Sequence, residues 1–130
     1  MRLLTVEEVV RIHAAVLRET GGLAGIRDLG SIASAVGRMS AGARETEVFP
    51  SLHEKVAALL QALVQNHGFV DGNKRTALAS AAAMLALNGW WLDYEDDDAV
   101  AFMIGVATHE IDFEGIVEWL REHSARVSCE

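Results

Sequence analysis

The stretch His67-Gly68-Phe69-Val70-Asp71-Gly72-Asn73-Lys74-Arg75-Thr76 separates two apolar helical segments. Gly72 predicts a tight turn, and the residues after it predict the first turn of a helix, whose backbone N–H groups lack partners within the helix. Within residues 56–120, Lys74 and Arg75 are the only Lys or Arg residues, whereas ten residues are Asp or Glu. A helix start with isolated cations and the positive end of the helix dipole favours an anion, above all a phosphate group.

The side chains of this stretch suit phosphoryl-group chemistry. Lys74 offers a point charge and Arg75 a bidentate fork, so that together they can hold two phosphates, with the N–H groups of residues 73–75 pointing at the same ligand. Asp71 is unsuited to binding phosphate directly. Its expected task is to hold Mg²⁺, which proteins usually bind through one or two carboxylates plus substrate phosphates. His67 is the candidate general base, because an imidazole can take a proton near neutral pH.

Each of these residues also has a simpler interpretation. A lone histidine such as His67 is more often structural or exposed than catalytic, Asp71 can cap a helix, and Lys74 with Arg75 can form a solvated pair. His67 and Asp71 can also ligate a transition metal together, although no third ligand is evident in the sequence. The acidic run 95–98 is most simply a solvated helix start. No role is assigned to the remaining histidines, which are His13, His53, His109 and His123. The combination of residues, rather than any one of them, favours a functional site.

Composition narrows the class of protein. A length of 130 residues predicts one domain, spanning 1–130, and the high apolar content with a single proline predicts a folded chain. The lone Cys129 cannot form an internal disulfide, which suits a reducing cytoplasm, and charges within residues 1–11 argue against a secretory signal. The apolar run 77–92 is short and interrupted, so a core helix explains it better than a membrane span. A net charge of −8 argues against nucleic acid or an anionic membrane as a partner.

Helical periodicity runs through the whole chain. Capping boxes at Thr5/Glu8 and Ser51/Glu54 predict two helix starts, and further helices are expected over about 31–39, after Asp96 to Asp98 and after Asp112. Residues 41–50 lack periodicity and are expected to form either a flap or a short hairpin. Because residues 77–87 are apolar except for Ser80, the helix that begins near Asn73 is expected at the centre. The predicted fold is an all-α bundle of about six helices around a central buried helix.

The stretch from His67 to Arg75 resembles the Fic-domain signature, His-x-Phe-x-(Asp/Glu)-Gly-Asn-Gly-Arg, which precedes a central helix. It resembles the Doc (death-on-curing) branch of the Fic/Doc superfamily more closely, because that loop reads His-x-Phe-x-Asp-Ala-Asn-Lys-Arg-Thr. Lys74 stands where typical Fic proteins have glycine, and Leu78 stands where they have a second arginine. Gly72 departs from the Doc pattern and matches the Fic one. The resemblance extends over nearly the whole chain, through residues 21–25 with Asp28, 88–89 and 105–111.

This resemblance implies the toxin of a type II toxin–antitoxin pair. Doc proteins are protein kinases that transfer the γ-phosphate of ATP to a threonine of elongation factor Tu, which stops translation. By the same resemblance, His67 would deprotonate the threonine and Asp71 would organise Mg²⁺. The phosphates would be held by the backbone at Gly72 together with Asn73, Lys74 and Arg75. Residues 41–50 fall where Fic proteins keep the flap that docks the target's backbone.

The resemblance also implies how the activity is controlled. Many Fic proteins carry an inhibitory helix with the pattern Ser/Thr-x-x-x-Glu-Gly/Asn, which this sequence lacks. Inhibition is therefore expected from a Phd-type antitoxin, whose disordered tail folds into a groove on the toxin, with the loop after the first helix as a candidate surface. Two alternatives stay open: a Fic-type protein adenylyltransferase, which transfers AMP to a hydroxyl, and a catalytically silent Fic-fold binding protein.

Overall fold

Six helices and two short strands follow one another along residues 1–127, the part of the chain that the computed structural model describes. They are α1 (Val6–Thr20), α2 (Leu29–Arg38), α3 (Leu52–Asn66), α4 (Asn73–Leu87), β1 (Trp90–Leu92), α5 (Asp96–Ala107), α6 (Phe113–Glu122) and β2 (Ser124–Arg126). The prediction of an all-α fold with about six helices is confirmed. Within the described range, no helix is long and apolar enough to cross a membrane. Cys129 lies outside the described residues.

Local capping explains where most helices begin. Both predicted capping boxes form, with Thr5 and Ser51 as N-caps of α1 and α3. Asp112 caps α6 by accepting a hydrogen bond from the Gly115 N–H. Helix α2 begins two residues earlier than predicted, because the Asp28 carboxylate caps it through the Ser31 N–H. Side-chain oxygens at these positions satisfy N–H groups that the helix leaves unpaired.

Two helices share the centre of the molecule. Helix α3 has ten buried residues and α4 has six, and the two pack against each other more extensively than any other pair of elements. Small side chains let them approach closely, since Ala57, Ala77 and Ala81 are fully buried. Helix α4 is therefore central, as its apolar sequence predicts, but the more completely buried helix is α3.

The strands β1 and β2 form a two-stranded antiparallel sheet that the helical periodicity did not predict. Trp90 lies opposite Arg126, and the Val127 N–H donates to the Gly89 carbonyl at 2.8 Å. The side-chain amide of Asn88, the residue before Gly89, accepts a hydrogen bond from the Arg2 N–H and donates one to the Arg2 carbonyl, both at 2.8 Å. Residues 2 and 127 are thus both fastened to the turn that ends α4.

The segment 41–50 does not form a hairpin. It contains a series of turns, closed by a hydrogen bond from the Val48 N–H to the Ala41 carbonyl at 3.0 Å. The buried Lys55 holds the segment to α3, because its Nζ donates to the Met39 carbonyl and to the Glu47 carboxylate, each at 3.1 Å. The segment is therefore an ordered loop without strands.

Candidate active site

The motif loop, residues 67–72, connects the end of α3 to the start of α4. His67 is the C-cap of α3 and adopts a left-handed conformation with φ 49° and ψ 48°, which is uncommon outside glycine. Its side chain is exposed, whereas Gly68 and Phe69 behind it are buried. The loop thus presents His67 to solvent at one end and the start of α4 at the other.

The start of α4 differs from the starts of the other five described helices. Side chains cap four of those helices, and α5, which lacks a side-chain cap, has three aspartates in its first turn. Helix α4 has Gly72 as its N-cap, with φ 78°, no side-chain cap and no acidic residue in its first turn. Lys74 and Arg75 lie there instead. A helix start that has no side-chain cap, and whose only charged residues are cations, favours the binding of an anion such as phosphate.

The Asp71 carboxylate lies between two segments of the chain. Its Oδ2 accepts from the Leu23 N–H at 3.1 Å, and its Oδ1 accepts from the Gly72 N–H at 2.8 Å. These two bonds, first that of Leu23 and then that of Gly72, hold the pKa of Asp71 below its usual value, and the nearby Arg75 adds to the effect. Asp71 is therefore charged at neutral pH. Its side chain is also 43% exposed, so the carboxylate remains accessible to a ligand.

Asn73 uses its side chain inside the loop. Its Oδ1 accepts from the Phe69 N–H and its Nδ2 donates to the Phe69 carbonyl, both at 3.0 Å. The amide therefore closes the loop rather than pointing at a ligand. Since the Gly72 N–H is taken by Asp71, the first-turn N–H groups of residues 73–75 are the backbone donors that face outward from α4.

Replacement of Asn73 by alanine is expected to lower the free energy of unfolding by about 1–3 kcal/mol, because the buried Phe69 loses partners for both its N–H and its carbonyl. Urea denaturation measures the loss. Asn66→Ala is the matched control, since it removes one hydrogen bond, from Asn66 Nδ2 to the Ser31 carbonyl, and we expect it to cost about 0.5–1.5 kcal/mol. An Asn73→Ala variant as stable as wild type would contradict the assignment.

The two cations of α4 have different surroundings. The Arg75 guanidinium donates to Thr20 Oγ1 and, at 3.2 Å, to the Gly21 carbonyl, and it lies 3.8 Å from Asp71 Oδ1. Lys74 is exposed and forms no hydrogen bond or ion pair with any residue of the described range. Both line a cavity of about 230 Å³, whose other walls are aliphatic or thioether side chains: Leu78, Ala99, Val100, Met103 and Ile104. Arg75 thus fastens α4 to the end of α1, whereas Lys74 is available to a ligand.

Two residues that the sequence did not single out contact the motif loop. Arg27 donates from Nε to the His67 carbonyl at 2.6 Å and from Nη2 to the Asn66 carbonyl at 3.1 Å, so it caps the end of α3. His13, on α1, has its Nε2 at 2.8 Å from the Asp71 carbonyl oxygen. No sequence signal points to Arg27. His13 does lie on the apolar face of α1, where a histidine is unusual enough to notice.

Backbone hydrogen bonds hold the motif loop, and with it the predicted site residues, against residues 25–28. The segment 25–28 runs beside the motif loop, with the Arg27 N–H donating to the Gly68 carbonyl at 2.8 Å and the Val70 N–H donating to the Gly25 carbonyl at 3.0 Å. Asp71 and Arg75 come close together, but no hydrogen bond or ion pair joins the His67 side chain to Asp71, Lys74 or Arg75 within residues 1–127. A substrate would have to bridge His67 and the start of α4.

Comparison with known proteins shows the family of the chain. The model of the Fic/DOC family matches residues 3–85, which include α1 to α3, the motif loop and most of α4. The chain is 42% identical over 107 residues to "Toxin Doc" of Mycolicibacterium smegmatis, covering 81% of this chain and 82% of that protein. It is 35% identical over 121 residues to "Protein kinase doc" of Escherichia phage P1, covering 93% of this chain and 94% of that protein. The chain therefore belongs to the Fic/DOC family, as its motif predicts.

Proposed function

We propose that this chain is a Doc-type toxin that acts as a protein kinase, transferring the γ-phosphate of ATP to a threonine of elongation factor Tu. The observation that carries the proposal is the uncapped start of α4, with Lys74 exposed and unbonded within the described residues and no acidic side chain in the first turn. The chain is similar over 93% of its length to a protein named as a kinase, and over 81% to another named as a toxin. Both similarities support the same proposal.

The proposed reaction uses the residues at the two ends of the motif loop. His67 takes the proton from the threonine hydroxyl, whose oxygen attacks the γ-phosphorus while the bond to the β–γ bridging oxygen breaks and ADP leaves. The negative charge on the transferring group is stabilised by the N–H groups of residues 73–75 and by the side chains of Lys74 and Arg75. Arg75 can do this while its other N–H groups keep their bonds to α1, because a guanidinium has five donors.

Asp71 fits a Mg²⁺ ion that accompanies the nucleotide. The carboxylate is charged, and after the bonds from Leu23 and Gly72 each oxygen keeps a lone pair for a further ligand. No group of three or more His, Cys, Asp or Glu side chains within residues 1–127 is placed to hold a metal ion, so phosphate oxygens and water would complete the shell. When bound, Mg²⁺ neutralises phosphate charge.

The control of this activity is proposed to come from a Phd-type antitoxin. A groove of about 410 Å³ lies between α1 and the loop that follows it, lined by apolar residues such as Leu17 and Ile26 and by Arg18. Leu23 beside it is 68% exposed, which is unusual for a large apolar side chain. This groove supports the loop after the first helix as the antitoxin surface, because it adjoins the turn that bonds to Asp71.

Transfer of labelled phosphate tests the proposal against its main alternative. The purified chain is incubated with elongation factor Tu, Mg²⁺ and ATP labelled on either the γ- or the α-phosphate, with an EDTA-treated reaction as the control. We expect label from the γ position only and a mass gain of about 80 Da, one phosphoryl group. Label from the α position, with a gain of about 329 Da, would replace the kinase by an adenylyltransferase. No transfer would favour a silent binding protein or another target.

A further inference from the structure

We propose that His13 is a positioning residue of this active site, which sets the orientation of Asp71 from the buried side of the motif loop. The catalytic part of the inference rests on the proposed function, whereas the conformational part does not. His13 belongs to α1, 58 residues before Asp71 in the sequence, and its side chain takes no part in the reaction itself.

Two contacts join His13 to the motif loop. Its Nε2 lies 2.8 Å from the Asp71 carbonyl oxygen, and its ring stacks on Phe69 with the centroids 3.8 Å apart and the planes 7° from parallel. Only 5% of the residue is exposed. Because a carbonyl oxygen only accepts, Nε2 of His13 is the donor in this hydrogen bond.

These contacts determine where the Asp71 carboxylate points. His13 holds the backbone carbonyl of Asp71 toward α1. The carboxylate of Asp71 accepts hydrogen bonds from the N–H groups of Leu23 and Gly72. The Asp71 carboxylate also packs closely against Gly22, since a Cβ atom at Gly22 would lie only 2.7 Å from Asp71 Oδ2. Asp71 is therefore fixed through its main chain and its side chain at once. Loss of the His13 hydrogen bond would release the main-chain side.

The molecule contains a matched control for this arrangement. His123 also stacks on an aromatic ring, that of Trp119, with the centroids 4.0 Å apart and the planes at 20°, and its Nδ1 lies 2.7 Å from the Trp119 carbonyl oxygen. His123 follows α6, and within residues 1–127 no hydrogen bond, ion pair or ring stack joins it to the motif loop. Matched substitutions at His123 therefore report the general cost of losing such a ring stack or such a hydrogen bond.

The experiment compares His13→Phe with His13→Gln, and each with its counterpart at His123. The counterparts are His123→Phe and, because that bond runs through Nδ1, His123→Asn. Phenylalanine keeps the ring stack without the hydrogen bond, and glutamine keeps a donor at the position of Nε2 without the stack. We measure kcat and KM for ATP, and the hydrogen exchange of the Leu23 and Gly72 amides. His13→Phe is expected to lower kcat about 10- to 100-fold with little change in KM, and to accelerate exchange at both amides. His13→Gln is expected to recover most of both losses, and the His123 variants to change neither.

The two readouts separate the possible failures. A wild-type chain that transfers neither phosphate nor AMP would refute the proposed function, while amide exchange, which needs no activity, would still test His13. His13→Phe with wild-type exchange at Leu23 and Gly72 would overturn the positioning role. So would a glutamine variant that loses as much as the phenylalanine one in both readouts, because the hydrogen bond would then not be the contact that matters. If His13→Phe fails to fold, His13→Leu, which also lacks the donor, replaces it in both readouts.

Discussion

Replacement of His67 is expected to lower the rate of phosphoryl transfer by about 10²- to 10⁴-fold, the range typical of a lost general base. His67 is exposed, and no hydrogen bond of its side chain to any residue in the described range is present, so the fold does not depend on the imidazole. Its backbone is left-handed, a conformation that alanine tolerates poorly and asparagine tolerates better. His67→Asn is therefore the cleaner variant, and His67→Ala should show the same loss of rate with an additional loss of stability.

A second histidine provides the control for this prediction. His109, with φ 65°, is the other non-glycine residue of positive φ among residues 1–127, and it lies at the end of α5. His109→Asn and His109→Ala carry a similar backbone cost outside the motif loop. They also remove the contact of 3.3 Å between His109 Nδ1 and Gln65 Nε2, which adds to their loss of stability. Transfer rates are measured under single-turnover conditions, and stabilities by thermal unfolding. A His67→Asn variant that keeps a rate within about threefold of wild type would remove His67 from the role of base.

Replacement of Arg75 by alanine is expected to lower the transfer rate by about 10²- to 10³-fold, because a charge that stabilises the transferring phosphoryl group is lost. Arg75→Lys should recover only part of this rate, since an ammonium cannot reproduce the bidentate fork. Arg75→Ala should also loosen the junction with α1, where the guanidinium bonds to Thr20 and Gly21. The loss of rate therefore combines an electrostatic and a structural effect.

Thr20→Val separates these two effects. It removes the Thr20 hydroxyl that accepts from Arg75 and leaves the cation in place. We expect Thr20→Val to reduce stability by about 0.5–1.5 kcal/mol with a small effect on the transfer rate. If Thr20→Val were as slow as Arg75→Ala, the contribution of Arg75 would lie in its contact with α1 rather than in its charge. Transfer rates and urea-denaturation midpoints of Arg75→Ala, Arg75→Lys and Thr20→Val distinguish the two effects.

Features that depend on neighbouring residues could be predicted from the sequence. The capping boxes at Thr5 and Ser51 and the cap at Asp112 involve partners three residues away, and all three form. The motif loop is recognisable because its residues are contiguous. The predicted start of α2 is two residues late, because the prediction does not include Asp28 as its cap. The strands β1 and β2 are three residues each, too short to show an alternation of apolar and polar side chains.

Contacts between distant segments were the part that could not be predicted. Arg27 lies 40 residues before His67, and His13 lies 58 before Asp71, so nothing in their local sequence indicates these partners. Asn73 shows a related difficulty: its residue type suits a phosphate ligand, but the Phe69 backbone already uses both ends of its amide. A sequence lists donors and acceptors, whereas the fold decides how they are paired. The site roles stay predictions for all six residues: His67, Asp71, Gly72, Asn73, Lys74 and Arg75.

The fastening of residues 2 and 127 to the turn after α4 has a practical consequence for experiments. Arg2 bonds to Asn88 and Val127 bonds to Gly89, at the opposite end of α4 from the motif loop. A helix of 15 residues is roughly 22 Å long, so an affinity tag or a fluorescent reporter fused near either residue would sit that far from the phosphate site.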